Sequence, residues 1–319
     1  MAIKDQYVTD EYALYQGDCI ETLKEFPSDS IHFSLYSPPF GGLYHYSSDE
    51  RDMSNSDNYE DFFKHYEFLI KEKYRITIPG RLTAVHCMDI PKSNTGRGDG
   101  LIEFPDDIIK AHKKYGWEYA ARFTIWKEPL GVRNRTMAKN LAHKTIVEDS
   151  TKCGNAGADY IVVFRKPGEN PEPVTHENGI MYYAGEKEMP SDILQYRGYT
   201  GKQTENKYSH WIWRQYASSV WDDIRINNVL PFKPGKDDKD EKHVHPLQLD
   251  VIDRLCELFT NVGDKVLDPF NGVGSTTYGA VSYGRFGIGM ELKDSYFQQS
   301  IKNMQTVKNR FKDTQQKLF

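Results

Sequence analysis

Two short stretches of this 319-residue chain carry residue types whose order suits chemistry. The first is Ser37-Pro38-Pro39-Phe40, directly after the β-rich run Ser30 to Tyr36. Two successive prolines fix the backbone and remove two N–H donors, so the corner presents acceptors and almost nothing else. The group that suits it is an amine on an aromatic ring. Such a nitrogen is a poor nucleophile while its lone pair is spread into the ring. Ser37 Oγ and the Pro38 carbonyl can hold its two hydrogens and favour a pyramidal nitrogen. Phe40 adds a ring for a planar heterocycle to stack on. Taken alone, a proline pair reads as a surface turn.

The second stretch is Val266 to Thr276, a strand, a tight turn carrying Gly272 and Gly274, and a helix start. An α/β sheet brings backbone close to a nucleotide-like ligand in this way. About 20 residues on, the strand Phe286 to Met290 ends in Glu291, whose carboxylate can accept both hydroxyls of a ribose. Together they imply an adenosine-containing cofactor. The third glycine of the dinucleotide fingerprint falls at Thr277, which weakens a nicotinamide reading.

Asp268-Pro269-Phe270 with Gly272-Val273-Gly274-Ser275 resembles the cofactor motif of the amino-methyltransferases that act on DNA. Ser37-Pro38-Pro39-Phe40 matches that family's catalytic tetrapeptide, which is Ser, Asp or Asn, then Pro-Pro, then Tyr or Phe. The likeness covers both ends of the chain. It implies S-adenosylmethionine as cofactor, S-adenosylhomocysteine as product, and no metal. It places Asp268, Phe270, Gly272, Gly274 and Ser275 around the methionine end, Glu291 on the ribose, and His245-Pro246 with its helix beside the cofactor. Gly17-Asp18-Cys19 resembles the acidic motif that contacts the cofactor's adenine amine; Asp18 reads equally well as a helix N-cap. Around a flipped-out base, Tyr44 and Tyr46 become helpers of the catalytic residues Ser37, Pro38, Pro39 and Phe40. With the catalytic motif before the cofactor motif, the order is the permuted one of the beta group, in which the target recognition region lies between the two.

Serine at the head of the tetrapeptide resembles the cytosine-N4 enzymes more than the adenine-N6 ones. Adenine-N6 stays open, since a hydroxyl both donates and accepts. Carbon-5 methylation needs a cysteine nucleophile, and the sequence shows none near the proline pair. Other readings are methylation of RNA or of a protein amide, a nicotinamide-dependent dehydrogenase, and a catalytically silent nucleic-acid-binding module.

These motifs need elements to position them. The pattern predicts an α/β chain: a Rossmann-like methyltransferase sheet with helices on both faces, plus an inserted mixed recognition lobe. Residues 1–168 form the catalytic half, 169–244 the target recognition lobe and 245–319 the cofactor-binding half. Residues 1–40 read as loop, helix and strand, with Ile20, Leu23 and Phe26 on the helix. Ser56 to Asn58 offer caps to a helix with Phe62, Tyr66, Leu69 and Ile70 on one face, and Pro79-Gly80 turns it into the strand Leu82 to Met88. Pro105 and Gly116 bracket a further helix before the alternating strand Trp117 to Ile125. Residues 127–158 show no sustained period, and the strand Tyr160 to Phe164 follows. From His245 a helix runs to Thr260, and the α/β pattern returns.

The net charge of -5 excludes a globally basic nucleic-acid binder, so DNA contact needs a local patch. Lys127, Arg133, Arg135, Lys139, His143, Lys144 and Lys152 supply one, with Lys202, Lys207, Arg214 and Arg225 from the lobe. The four cysteines lack metal or disulfide spacing. No apolar run approaches the roughly 20 residues that cross a bilayer, and no signal segment opens the chain. The expectation is a cytoplasmic protein, bacterial, archaeal or phage-encoded. Its partner is double-stranded DNA, with or without a companion restriction nuclease and without a membrane, as monomer or homodimer.

Overall fold

The computed structural model describes residues 3–39, 59–92, 100–136, 138–177, 179–194, 206–235 and 246–309, without the Arg135 side chain. The strands in chain order are β1 (Ile3–Val8), β2 (Tyr12–Gly17), β3 (Ile31–Tyr36), β4 (Thr77–Met88), β5 (Ile90–Pro91), β6 (Leu101–Ile102), β7 (Glu118–Ile125), β8 (Asp159–Arg165), β9 (Val220–Trp221), β10 (Lys265–Asp268) and β11 (Phe286–Glu291). The helices are α1 (Cys19–Leu23), α2 (Tyr59–Ile76), α3 (Phe104–Lys114), α4 (Pro129–Thr136), α5 (His143–Asp149), α6 (Ser191–Leu194), α7 (Lys207–Tyr216), α8 (Leu249–Phe259), α9 (Ser275–Ser282) and α10 (Asp294–Met304).

Among the described residues, nine strands form one sheet in the order β1-β2-β11-β10-β3-β4-β8-β7-β9. The run from β2 to β4 is parallel, β8 is antiparallel to both of its neighbours, and β1 closes one edge as an antiparallel hairpin. Chain order reverses between β10 and β3, which opens a crevice at the carboxyl ends of the strands.

The central strands are apolar on both faces because both faces are covered. Val162 and Phe164 of β8 join Tyr66, Leu69, Phe104 and Ile108 from α2 and α3. Ile161 and Val163 point the other way, into a cluster with Leu255 of α8, Ala280 of α9 and Trp221. This is the α/β methyltransferase sheet expected from the motifs.

Several elements differ from the sequence reading. Residues 3–17, read as loop, form the β1–β2 hairpin; β1 is mostly exposed, so no clean alternation marks it. Pro79-Gly80 lies inside β4, where the β3 register slips from Ile31↔Thr77 to Phe33↔Leu82. Gly80 has φ +76°, and a Cβ there would stand 2.7 Å from the Asn170 backbone nitrogen, so the bulge needs glycine. Residues 127–158 fold into α4 and α5, two short helices with few buried side chains to set a period. Within 169–244, Val220–Trp221 adds an edge strand to the main sheet. The caps proposed at Ser56 to Asn58 lie outside the described residues.

Candidate active site

The carboxyl ends of β2, β3, β4, β7, β10 and β11, with the first residue of β8, surround a cavity of about 800 Å³. Ser37, Pro38 and Pro39 line it together with Asp268, Phe270, Gly272 and Glu291. The acceptor corner and the glycine loop therefore meet in one crevice, although more than 200 residues separate them.

At the corner, Ser37 follows β3 as His86 approaches the end of β4. Ser37 Oγ lies 2.6 Å from His86 Nδ1, and His86 Nε2 lies 3.4 Å from Asp159 Oδ2. Asp159 also pairs with Lys127. Burial pushes the Asp159 carboxyl up, but His86 and Lys127 together outweigh it and hold it at about 2. Nothing in the spacing of residues 37, 86 and 159 announces this chain of groups; strand pairing makes it. Lys127, expected to meet phosphate, is turned inward.

Under the corner, α2 presents Lys73, fully buried. Its ammonium donates to Tyr36 Oη and to Thr83 Oγ1, each at 2.7 Å, and Tyr36 Oη is 2.6 Å from Tyr66 Oη. Burial pushes Lys73 well below the ordinary lysine value, against the attraction of Asp268. These bonds pin the residue just before Ser37. The signal was available: Lys73 falls on the same helical face as Phe62, Tyr66 and Ile70.

On the other wall, β10 ends in Asp268, whose Oδ1 accepts from the Phe270 amide at 2.9 Å. Burial pushes its carboxyl up to about 7 against the pull of the Thr276 hydroxyl, the Phe270 amide and Lys73. Gly272 adopts φ +51° and donates its N–H to Glu291 Oε2 at 2.8 Å; Lys293 N donates to Oε1 at 2.8 Å. Two amides thus fix the carboxylate that ends β11. A Cβ on Gly272 would meet no atom closer than 4.0 Å, so glycine there leaves a cradle free.

Gly274 differs. It does not line the cavity; its φ of +93° and a Ser300 Cβ only 3.3 Å from the position of its own Cβ tie it to the turn and to α10. Thr277, where the third glycine of the dinucleotide pattern would fall, is buried and bonds Asn271 Oδ1. Close approach of helix and strand is met from the strand side, by Gly287, whose Cβ would be 3.0 Å from Thr277 O.

Asp18 caps α1 by accepting from Glu21 N at 3.0 Å, as the N-cap reading expects, and it also lines the cavity. Cys19 lines the cavity as well, which the sequence did not place near the proline pair. Burial, then the neighbouring Asp18 charge, push its thiol well above the ordinary value, and a protonated thiol is no nucleophile. Pro246 to Gln248 and the inner face of α4 complete the lining. Phe40, Tyr44, Tyr46, His245 and Lys202 lie outside the described residues. Lys139 and Lys144 are exposed, Lys144 pairing with Glu148, and Arg133 is half-buried on α4. Arg225 is bound to buried Asp250.

The chain matches the profile of the DNA methylase family of N6 and N4 enzymes over residues 31–302. The chain belongs to the N6/N4 DNA methylase family. Type II methyltransferase M.BamHI of Bacillus amyloliquefaciens is 25% identical over 293 residues, 91% of this chain and 56% of that protein. TTHA0409 from Thermus thermophilus, solved in complex with S-adenosyl-L-methionine, is 22% identical with a TM-score of 0.58, covering 92% of this chain and 94% of that one. PvuII DNA methyltransferase, cytosine-N4-specific, is 15% identical with a TM-score of 0.61, covering 97% and 91%. This methylase thus has the fold of DNA methyltransferases, and S-adenosylmethionine is its cofactor. The cavity fits that group. Ser275 Oγ and Asn271 Nδ2 are buried at its wall without a hydrogen-bond partner, and Gln248 Oε1 is likewise unpartnered. Such atoms call for a polar ligand. Among the described residues no helix is long and apolar enough to cross a membrane.

Proposed function

We propose that this methylase transfers a methyl group to the exocyclic N4 of a cytosine flipped out of double-stranded DNA. The observation that carries the reading is the shared cavity of Ser37-Pro38-Pro39 and the glycine loop. When bound, S-adenosylmethionine supplies an electrophilic methyl group on a sulfonium. Glu291, held by two amides, accepts the ribose hydroxyls, and Asp18 the adenine amine. Ser275, Asn271 and the open cradle at Gly272 take the methionine end beside Asp268 and Phe270. Ser37 Oγ and the Pro38 carbonyl hold the amino hydrogens of the target base, and Phe40 stacks on it. In the sequence His245 directly precedes Pro246, and Tyr44 and Tyr46 follow the catalytic corner; the same reading assigns them to the cofactor and the target base. Residues 169–244 read the target, and Arg133, Arg135, Lys139 and Lys144 meet phosphates.

Adenine-N6 is the second reading, favoured by the ability of a serine hydroxyl to serve either amine. Modified-base sequencing of genomic DNA from cells expressing the chain decides between them. N4-methylcytosine in one sequence context is expected, and N6-methyladenine would move the assignment. Likeness to type II methyltransferases such as M.BamHI supports a companion nuclease in the same cytoplasm. The proline corner preceding the glycine loop in the chain supports the permuted arrangement, with the protein acting as monomer or homodimer.

A further inference from the structure

Three groups at the cavity wall have no task in methyl transfer as described: His86, Asp159 and Lys127. They form a line that begins at Ser37. Ser37 Oγ is 2.6 Å from His86 Nδ1, His86 Nε2 is 3.4 Å from Asp159 Oδ2, and Asp159 Oδ1 pairs with Lys127. The Asp159 carboxylate is the nearest charge to Nε2, which is buried and makes no hydrogen bond of its own, and its attraction favours the tautomer with the proton on that nitrogen. Nδ1 is then an acceptor, and the Ser37 hydroxyl donates to it at 2.6 Å in preference to the His86 carbonyl at 3.3 Å. Ser37 consequently turns only lone pairs toward the arriving amine, which selects an amino group over a ring carbonyl.

A serine, histidine and aspartate in line also serve acyl transfer, where the backbone N–H after the serine helps hold an oxyanion. Here the two residues after Ser37 are prolines and offer no N–H. The line therefore suits proton movement and not nucleophilic attack by Ser37.

Resting on the amino-methylation reading above, we propose that Ser37, His86 and Asp159 are a proton outlet for the methylated amine. Methyl transfer forms the N–C bond with the nitrogen lone pair, breaks the C–S bond and leaves the nitrogen positively charged. That nitrogen gives one proton to Ser37 Oγ as Ser37 passes its own to His86 Nδ1. The resulting imidazolium is stabilised by Asp159, which Lys127 holds in place. His86, whose side chain is 15% exposed, then releases the proton to water. The neutral methylated base and the starting imidazole are recovered.

The other ionisable side chains lining the cavity are Asp18, Cys19, Lys127, Glu128, Asp268, Glu291 and Tyr296. The rate arm of the test uses H86Q and H86A, because D159N would leave Lys127 buried without its carboxylate.

In single-turnover transfer of tritiated methyl to duplex DNA, H86Q is expected to be slower by about a hundredfold or more. It should lose the wild type's solvent deuterium effect and bind S-adenosylmethionine within twofold of wild type by calorimetry. Added imidazole should restore part of the rate of H86A. Independently of turnover, ¹⁵N NMR of histidine-labelled wild type, with H86Q for assignment, should show His86 protonated at Nε2 and bare at Nδ1. A proton on Nδ1, or an H86Q enzyme with the wild-type rate and solvent deuterium effect, overturns the outlet while leaving the methylation reading intact. A wild type that transfers no methyl to DNA while showing the expected His86 tautomer overturns the methylation reading itself, and the outlet with it.

Discussion

At the scale of single residues, the cavity sorts its polar groups into those already satisfied and those waiting. Glu291 is held by two amides before any ligand arrives, whereas Ser275 Oγ is buried and unpartnered. S275A should therefore leave thermal stability within a degree or two of wild type while weakening S-adenosylmethionine binding about fivefold, the worth of one hydrogen bond near 1 kcal/mol. Calorimetry beside a thermal melt separates the two effects. Asp268 gives a pH prediction. Its carboxyl is pushed up to about 7 in the fold, against about 3.9 in an unfolded chain. The folded protein binds that proton more tightly, so the contribution is complete below about pH 4 and is lost as pH rises toward 7. Melts of the ligand-free protein between pH 4.5 and 7.5 should show wild type losing up to about 1.4 kcal/mol per pH unit relative to D268N. Parallel curves would mean that Asp268 ionises at its ordinary value. Lys73, pushed down by burial, contributes the opposite slope in both proteins.

At the scale of elements, the glycines of the cofactor half divide into two kinds, and substitutions should tell them apart. Gly289 lies in β11 with Asn271 packed against it; a Cβ would stand 2.4 Å from Asn271 Cγ. Asn271 in turn bonds Thr277 and so ties the turn to α9. G289A should cost about 1–3 kcal/mol of stability through this overpacking, read as a clear fall in melting temperature. Gly272 faces open space at φ +51°, so G272A should cost only about 1–2 kcal/mol of backbone strain. Its larger effect should fall on cofactor affinity, because the new methyl enters the cradle. Unchanged cofactor affinity in G272A would count against Gly272 as a binding position. The sequence showed the strand-turn-helix pattern around these glycines. It could not show that Gly287 and Gly289 in the next strand supply the close approach, since that depends on which residues the sheet sets opposite the loop.

At the scale of the whole molecule, charge is the constraint. With a net charge of -5, attraction for phosphate has to come from a local cluster of exposed cations and not from the overall charge. Lys127 and Arg225 are bound to buried carboxylates, while Lys139 and Lys144 stay at the surface. The double change K139E/K144E should weaken duplex binding about tenfold or more at low salt and flatten the dependence of affinity on salt, with cofactor affinity unchanged. Filter binding across a salt series measures both. An unchanged salt slope would show that phosphate contacts lie elsewhere. The sheet itself explains why one cavity is lined by both the proline corner and the glycine loop: its order reverses between β10 and β3, so the loops after these neighbouring strands diverge and leave a crevice between them.

The amino acid order alone determined the α/β class, the acceptor corner at Ser37-Pro38-Pro39 and the cofactor loop ending at Glu291. Each is written in a continuous stretch whose local geometry follows from proline, glycine and apolar period. Only the tertiary structure decided that Ser37 meets His86 and that His86 meets Asp159, that Lys73 pins Tyr36 from beneath, and that Lys127 turns inward. These are relations across strands and between a helix and a sheet, fixed by register and burial over separations of 32 to 73 residues, as in Lys127 with Asp159 and His86 with Asp159, and no local pattern encodes such a distance.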